Sequence, residues 1–295
     1  MAQLGIMTTE VPVQTLSGAA AAIRAHGLST AQLQLGSVVS EVPIADALRF
    51  GLDVTGPYLS DDLAHRIGTA YAAEGVTIAA VDGTYNMIHR DRERRFRNLG
   101  HLYRVIELAG QLGTDVVTLC TGTRADLMWQ IDPANGTQEA WDDLVEQLMF
   151  ATDRAESAGV TLAFEPEHSN VVDSARRARQ LIDAVASPAL KVLFDPANIF
   201  HHGDLQRIAE HLSEAFELVG DHIALVHAKD LDHDGDAGGR AAGQGLLDYR
   251  YILAELNRRE YSGAIILHQL NELDDAGIDR ALRFLTDAAP TGYLT

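Results

Sequence analysis

A chain of 295 residues, 46% hydrophobic and 22% charged, has ordinary globular composition and is long enough for one large barrel or two average domains. No apolar run approaches the roughly 18 residues of a membrane span, and MAQLGIMTTEVPV lacks the basic, apolar and small-residue sections of a secretory leader, so a cytoplasmic location is expected. The net charge of −19, from 42 acidic and 23 basic residues, opposes nucleic acid and anionic membranes, and the single Cys120 excludes an intrachain disulfide and any Cys-rich zinc module.

In chain order, Gln3 to Thr8 (QLGIMT) reads as a first strand and Val13 to Ala25 as a helix rich in good helix formers, stopped by Gly27. Thr30 to Leu35 (TAQLQL) alternates as a second strand, and a polar, Gly-containing stretch from Gly36 to Pro57 leads to a helix over Asp61 to Ala73. Val76 to Val81 is a third strand. Leu99, Leu102, Ile106 and Ala109 mark one face of a helix from Asp91 to Leu112, whose basic start, HRDRERRFR, reads as a solvated first turn, with substrate-anion binding as the alternative. Asp115 to Cys120 is a fourth strand, its thiol packed as a small hydrophobe. The segment Ala125 to Gly136 then reads as an excursion over the domain, with Trp129 as a lid or packed on the loop's own base.

After a helix marked by Trp141, Leu144, Val145, Leu148, Ala151 and Ala155, the run VTLAFE delivers Glu165 to the point where hydrophobicity stops, and Pro166 bars the strand from continuing. The pattern recurs in KVLFD ending at Asp195, in HIALVHAK carrying His227 and Lys229, and in AIILH ending at His268. Helices over Ser174 to Val185, Asp204 to Leu218, Tyr249 to Arg259 and Asp275 to Ala288 alternate with these strands. Eight strand-helix pairs without a linker predict one (β/α)8 barrel spanning 1–295, in which the C-terminal strand ends meet at one mouth. An open doubly wound sheet is the alternative, but neither G-x-G-x-x-G nor G-x-x-x-x-G-K-[ST] occurs. Four metal-capable residues, Glu165, Asp195, His227 and His268, would therefore converge.

The segments LAGQLGTDVVTLCTG (Leu108 to Gly122), FEPEHSNV (Phe164 to Val171), FDPAN (Phe194 to Asn198), VHAKD (Val226 to Asp230) and AGQGLLDY (Ala242 to Tyr249) resemble the xylose-isomerase-like TIM barrels, the sugar phosphate isomerases and epimerases. The resemblance implies a divalent metal enzyme with Glu165, Asp195 and His227 as ligands and His268 at the place of the fourth. It also implies substrate contact by Arg240. Many relatives have a glutamate as fourth ligand and a histidine at the position of Asn198, and the first departure puts the family's two-glutamate epimerisation in doubt.

Mixed oxygen and nitrogen donors suit Mn²⁺, with Mg²⁺, Co²⁺ or Zn²⁺ as alternatives, and the ion would stabilise an enediolate formed from a hydroxyketone. Glu167, two residues beyond Glu165, is the expected second acid/base, and Lys229 the expected oxyanion stabiliser or else a salt-bridge partner of Asp230 or Asp195. Asn198, Arg240 and Trp129 are expected on the substrate, and Glu272 is an alternative to His268. His201 and His202 read as exposed loop residues. The function expected is a metal-dependent isomerase or epimerase of a sugar, ketosugar or polyol, with a lyase acting on an oxidised glycoside as the alternative. The partner is a small carbohydrate, and a homo-oligomer is compatible with this reading.

Overall fold

A computed structural model describes residues 1–11, 15–37, 59–270 and 275–295. Eight parallel strands close on themselves: β1 (Gln3–Met7), β2 (Thr30–Leu33), β3 (Thr77–Asp82), β4 (Val116–Cys120), β5 (Thr161–Glu165), β6 (Leu190–Phe194), β7 (Ile223–Asp230) and, after a short β8 (Arg240–Ala241), β9 (Ala264–Leu267). Sequential neighbours pair from β1 to β7, β7 pairs β9, and β9 returns to β1, which is barrel closure. The two-residue β8 lies antiparallel on the end of β7 and is outside the barrel.

The described helices are α1 (Leu16–Ala25), α2 (Asp61–Ala73), α3 (Arg92–Leu112), α4 (Gln138–Ala158), α5 (Ala175–Val185), α6 (Ile208–Val219), α7 (Tyr249–Arg258) and α8 (Asp275–Ala288). Each falls on a segment that the sequence assigned to a helix. Their starts follow from side-chain caps: Ser60, Asp91, Thr137, Ser174 and Asp248 each accept a hydrogen bond from a first-turn amide. Gly159 ends α4 in the left-handed conformation, which frees the chain to turn directly into β5. The proposed start of α1 at Val13, most of the Gly36 to Pro57 connection, and Glu272 lie outside the described residues.

The strands bury both faces. Inside the barrel, Met7, Ala80, Ala163, Leu193, Leu225, Ala264 and Ile266 form a small cluster in which alanines face larger residues, so the interior is filled. The other face of each strand joins the helices in the main core. With the lumen packed by apolar side chains, a polar group has room only at the two ends. The C-terminal end is where Glu165, Asp195, His227 and His268 emerge.

Candidate metal centre

Almost every strand brings a polar or thiol side chain to this mouth: Glu10 just after β1, Gln32 on β2, Asp82 ending β3, Cys120 ending β4, Glu165 ending β5, Asp195 after β6, His227 on β7 and His268 after β9. Among the described residues, Glu165, Asp195 and His227 form the one group able to hold a metal, with ligand atoms all within 4.8 Å of one another. Asp195 and His227 are buried, and His227 Nδ1 lies 3.3 Å from Glu165 Oε1 and 3.6 Å from Asp195 Oδ2. Asp195 Oδ2 and His227 Nδ1 are both sealed from solvent without an aligned hydrogen bond. Buried polar atoms are rarely left so. Two such atoms, close to each other beside a second carboxylate, Glu165, fit a bound cation.

Electrostatics agree. Burial pulls the His227 imidazole down, but the charge of Glu165 and the close approach of the Asp195 and Glu165 carboxylates outweigh it and raise His227 to about 9. The carboxylates therefore demand positive charge, and a proton supplies it when nothing else does. Burial pushes Asp195 up, yet the Lys229 charge and the His227 ring hold it well below the usual carboxylate range.

Lys229 sits two residues beyond His227 on the same side of β7, its Nζ 3.1 Å from Asp195 Oδ2. The sequence left Asp195 and Asp230 open as its ion-pair partners, and the partner is Asp195. Desolvation lowers the Lys229 ammonium, but Asp195 and Glu165 overcome it and raise it. Asn198 joins the halves: its Nδ2 donates to Glu165 Oε1 (2.8 Å) and its Oδ1 accepts from Lys229 Nζ (2.5 Å).

Glu167 is buried above Glu165 and held by its own loop. Its Oε2 accepts from the Ser169 amide (3.2 Å), the Ser169 hydroxyl and Asn170 Nδ2 (2.6 Å), while Asn170 Oδ1 accepts from the Gly122 amide (2.6 Å). Burial raises this carboxyl, the Ser169 hydrogen bond opposes it, and the neighbouring Glu165 charge raises it again, leaving it above its ordinary value. Ser169 and Asn170 were not singled out in the sequence, although they belong to the same FEPEHSN segment.

A cavity of about 630 Å³ opens above this group, lined by Glu165, Glu167, Asn198, Lys229, His268 and Trp129 among others. A second space of about 260 Å³ continues past Glu165 and His227 toward Gln32, Asp82, Thr118 and Cys120. Trp129 lines both and is 59% exposed, so the packed alternative for its indole is not realised. The Cys120 thiol is buried, and its Sγ donates to Glu165 Oε2 at 3.8 Å. A separate groove of about 350 Å³ beside α5 and α6 is lined by charges already paired, including Arg176 with Glu214 and His211 with Asp204.

His268 stands apart from the three-residue group. Its ring centroid is 4.8 Å from that of His227, and its Nδ1 is 3.1 Å from Glu10 Oε1. Burial lowers this imidazole, with Glu10 opposing. Arg240 does not line the cavity: its exposed side chain binds Asp232 at the surface. The AGQG turn that follows is ordered by Asp230, whose carboxylate accepts from the amides of Gly243, Gly245 and Leu247. A side chain at Gly245 would collide with that carboxylate, which accounts for the glycine. The basic start of α3 is only partly solvated, because Arg95 is buried and shares Asp143 with the buried Arg124.

A closed barrel with a carboxylate and imidazole group at its C-terminal mouth defines a TIM barrel with a group able to hold a metal. The profile of the xylose isomerase-like TIM barrel matches residues 33–288, and the chain belongs to that family. No curated protein matches its sequence. Among solved structures it is similar to 3-keto-D-glucoside 4-epimerase from E. coli, with TM-score 0.73 and 15% identity over 97% of this chain and 100% of that one. It is also similar to an L-ribulose 3-epimerase, with TM-score 0.70 and 18% identity over 98% and 96% of the two chains. A probable 3-DHS dehydratase from Bacillus anthracis superposes with TM-score 0.68 and 11% identity over 97% and 98%. No helix among the described residues is long and apolar enough to cross a membrane.

Proposed function

We propose that this chain is a divalent-metal-dependent isomerase or epimerase acting on a sugar, ketosugar or polyol. The observation that carries the reading is the convergence of two buried ligand atoms without an aligned hydrogen bond, Asp195 Oδ2, which is ion-paired with Lys229, and His227 Nδ1, on Glu165, which lines the mouth cavity. Glu165, Asp195 and His227 would hold the ion, Mn²⁺ by preference for mixed carboxylate and imidazole donors, with Mg²⁺, Co²⁺ or Zn²⁺ also suited. When bound, it supplies a Lewis acid for a carbonyl and its neighbouring hydroxyl.

The chain's own groups supply the rest. Glu167, with its raised proton affinity and its place in the cavity wall, takes the proton from the carbon beside the carbonyl and, for isomerisation, returns it to the former carbonyl carbon. Its hydrogen bonds all converge on Oε2, which fixes the carboxyl while the proton moves. Lys229 Nζ places positive charge beside the oxygen that becomes negative, and Asn198 keeps the ammonium and Glu165 in register. Trp129 covers the sugar from the open side. For Arg240 to reach substrate it would have to release Asp232.

One observation favours a second reading. His268, which the resemblance puts at the place of the second glutamate of the epimerases, is an imidazole paired with Glu10, and this suits protonation of a leaving group and hence elimination from an oxidised glycoside. Proton NMR in D₂O of the metal-loaded protein with ketoses, ketose phosphates, inososes and 3-oxo-glycosides separates the two. Deuterium at carbon in a product of unchanged composition is the expected result. Release of an aglycone or water would favour the lyase, and no exchange with any member of the panel would count against both.

A further inference from the structure

The His227 and His268 imidazoles on the cleft floor each have one ring nitrogen taken by a side chain on or just after a strand that contributes no member of the metal group. His227 Nε2 meets Gln32 Oε1 at 2.8 Å, with both residues buried. His268 Nδ1 meets Glu10 Oε1 at 3.1 Å. A neutral imidazole has one N–H and one bare nitrogen, and an amide or carboxylate oxygen can only accept. The two contacts therefore demand opposite protonation patterns. We propose that Gln32 and Glu10 are positioning residues that fix His227 as its Nε2–H tautomer and His268 as its Nδ1–H tautomer. Nδ1 of His227 is thereby left bare for Glu165, Asp195 and their cation, and Nε2 of His268 is left bare for the cleft. The inference deepens the metal reading above and rests on it for what the bare nitrogens serve.

Both partners are themselves held. Gln32 Nε2 donates to the buried Thr118 Oγ1 at 3.3 Å, which sets the direction of the amide. The pairing of β2 with β3 slips by one residue between Ala31 and Gln32, a bulge of the kind that re-aims a side chain beside a site. Glu10 accepts from the amides of Gln269 (3.1 Å) and Leu270 (2.9 Å), so its carboxylate cannot swing away from the ring. The competing state is a turned Gln32 amide. Its NH₂ would donate to His227 Nε2 and move the ring proton to Nδ1, 3.3 Å from Glu165 Oε1, where the proton would occupy the place of the cation. The direction of one amide thus sets which nitrogen of the neutral His227 ring is left bare toward Glu165 and Asp195.

Long-range proton–nitrogen correlation spectra of the zinc-loaded protein, labelled with ¹⁵N-histidine, read the tautomers directly. The expected spectrum has His227 protonated on Nε2 with a zinc-shifted Nδ1, and His268 protonated on Nδ1. Competition with a chromophoric chelator should show Gln32→Leu binding zinc about 10–100-fold more weakly, with Gln32→Glu, which keeps the acceptor, restoring affinity. Zinc bound through His227 Nε2, or Gln32→Leu binding zinc as tightly as wild type, would overturn the proposal. If circular dichroism shows Gln32→Leu unfolded, Thr118→Val decides, because it frees the amide without touching the ring, and unchanged affinity there counts against the inference. Failure of the wild type to bind zinc would overturn the metal reading instead. The tautomers are then read in the metal-free protein above the raised His227 value, where a proton on His227 Nδ1 overturns this inference separately.

Discussion

The β5–β7 side of the mouth and the β9–β1–β2 side both carry buried carboxyl, amide and imidazole groups, yet they are wired differently. On the first side, Glu165, Asp195 and His227 turn donor atoms toward one another, and two of those atoms have no aligned bond. On the second, Glu10 is just as buried, but its oxygens already accept from Gln269, Leu270 and the His268 ring. A carboxylate at a strand end is thus not a ligand by position alone. One whose lone pairs are filled by amides holds a neighbour in place, and one left short of donors calls for a cation.

The comparison breaks most severely at Asp195. Asp195→Ala should abolish metal binding and turnover, and should cost about 3–5 kcal/mol of stability by stranding the buried charge of Lys229. Metal analysis and urea denaturation check both. Glu167→Gln should lower turnover by about 10²–10⁴-fold while leaving metal content at the wild-type level, since on the proposed reading Glu167 serves the proton and not the ion.

The pH dependence follows from the sign of each shift. His227 is raised from 6.5 to about 9, so its contribution to metal-free stability is fully present below pH 6.5 and is lost as pH rises through about 9. Asp195 is depressed, so its contribution is present above 3.8 and is lost as pH falls through its lower folded value. On the proposed reading, zinc would displace the His227 proton. The rise in melting temperature on adding zinc should therefore grow from pH 6.5 to 9, and a rise that shrinks over that interval would count against the assignment. Trp129→Ala should raise KM and spare kcat, because an exposed indole over the cavity offers binding surface and no proton. The smallest effect is expected from Arg240→Ala, within about 0.5 kcal/mol of wild type in stability, because its ion pair with Asp232 is exposed.

The barrel was legible because each strand was an apolar run cut off by a polar residue and each helix had an apolar stripe with a cap or a glycine at its end. Glu165, Asp195 and His227 were legible for the same reason: each lies at or near the C-terminal end of a strand. Gln32 was not, because in TAQLQL an inward amide looks the same as the polar half of an alternating strand, and only the slip between β2 and β3 aims it at His227. Glu10 was hidden because β1 and β9 meet through closure of the barrel, a contact that no local pattern encodes. Arg95 was read as solvated because its partner, Asp143, sits on the next helix. The resemblance carried His268 to a fourth ligand position and Arg240 to the substrate. The structure places the first on Glu10 beside the group and the second on Asp232 at the surface.

Titration of the metal-free wild type and of Asp195→Ala with Mn²⁺, with bound metal counted after gel filtration, tests the central claim most directly. The account predicts one ion per wild-type chain and none in the variant. Equal metal in both proteins, or none in the wild type, would contradict it.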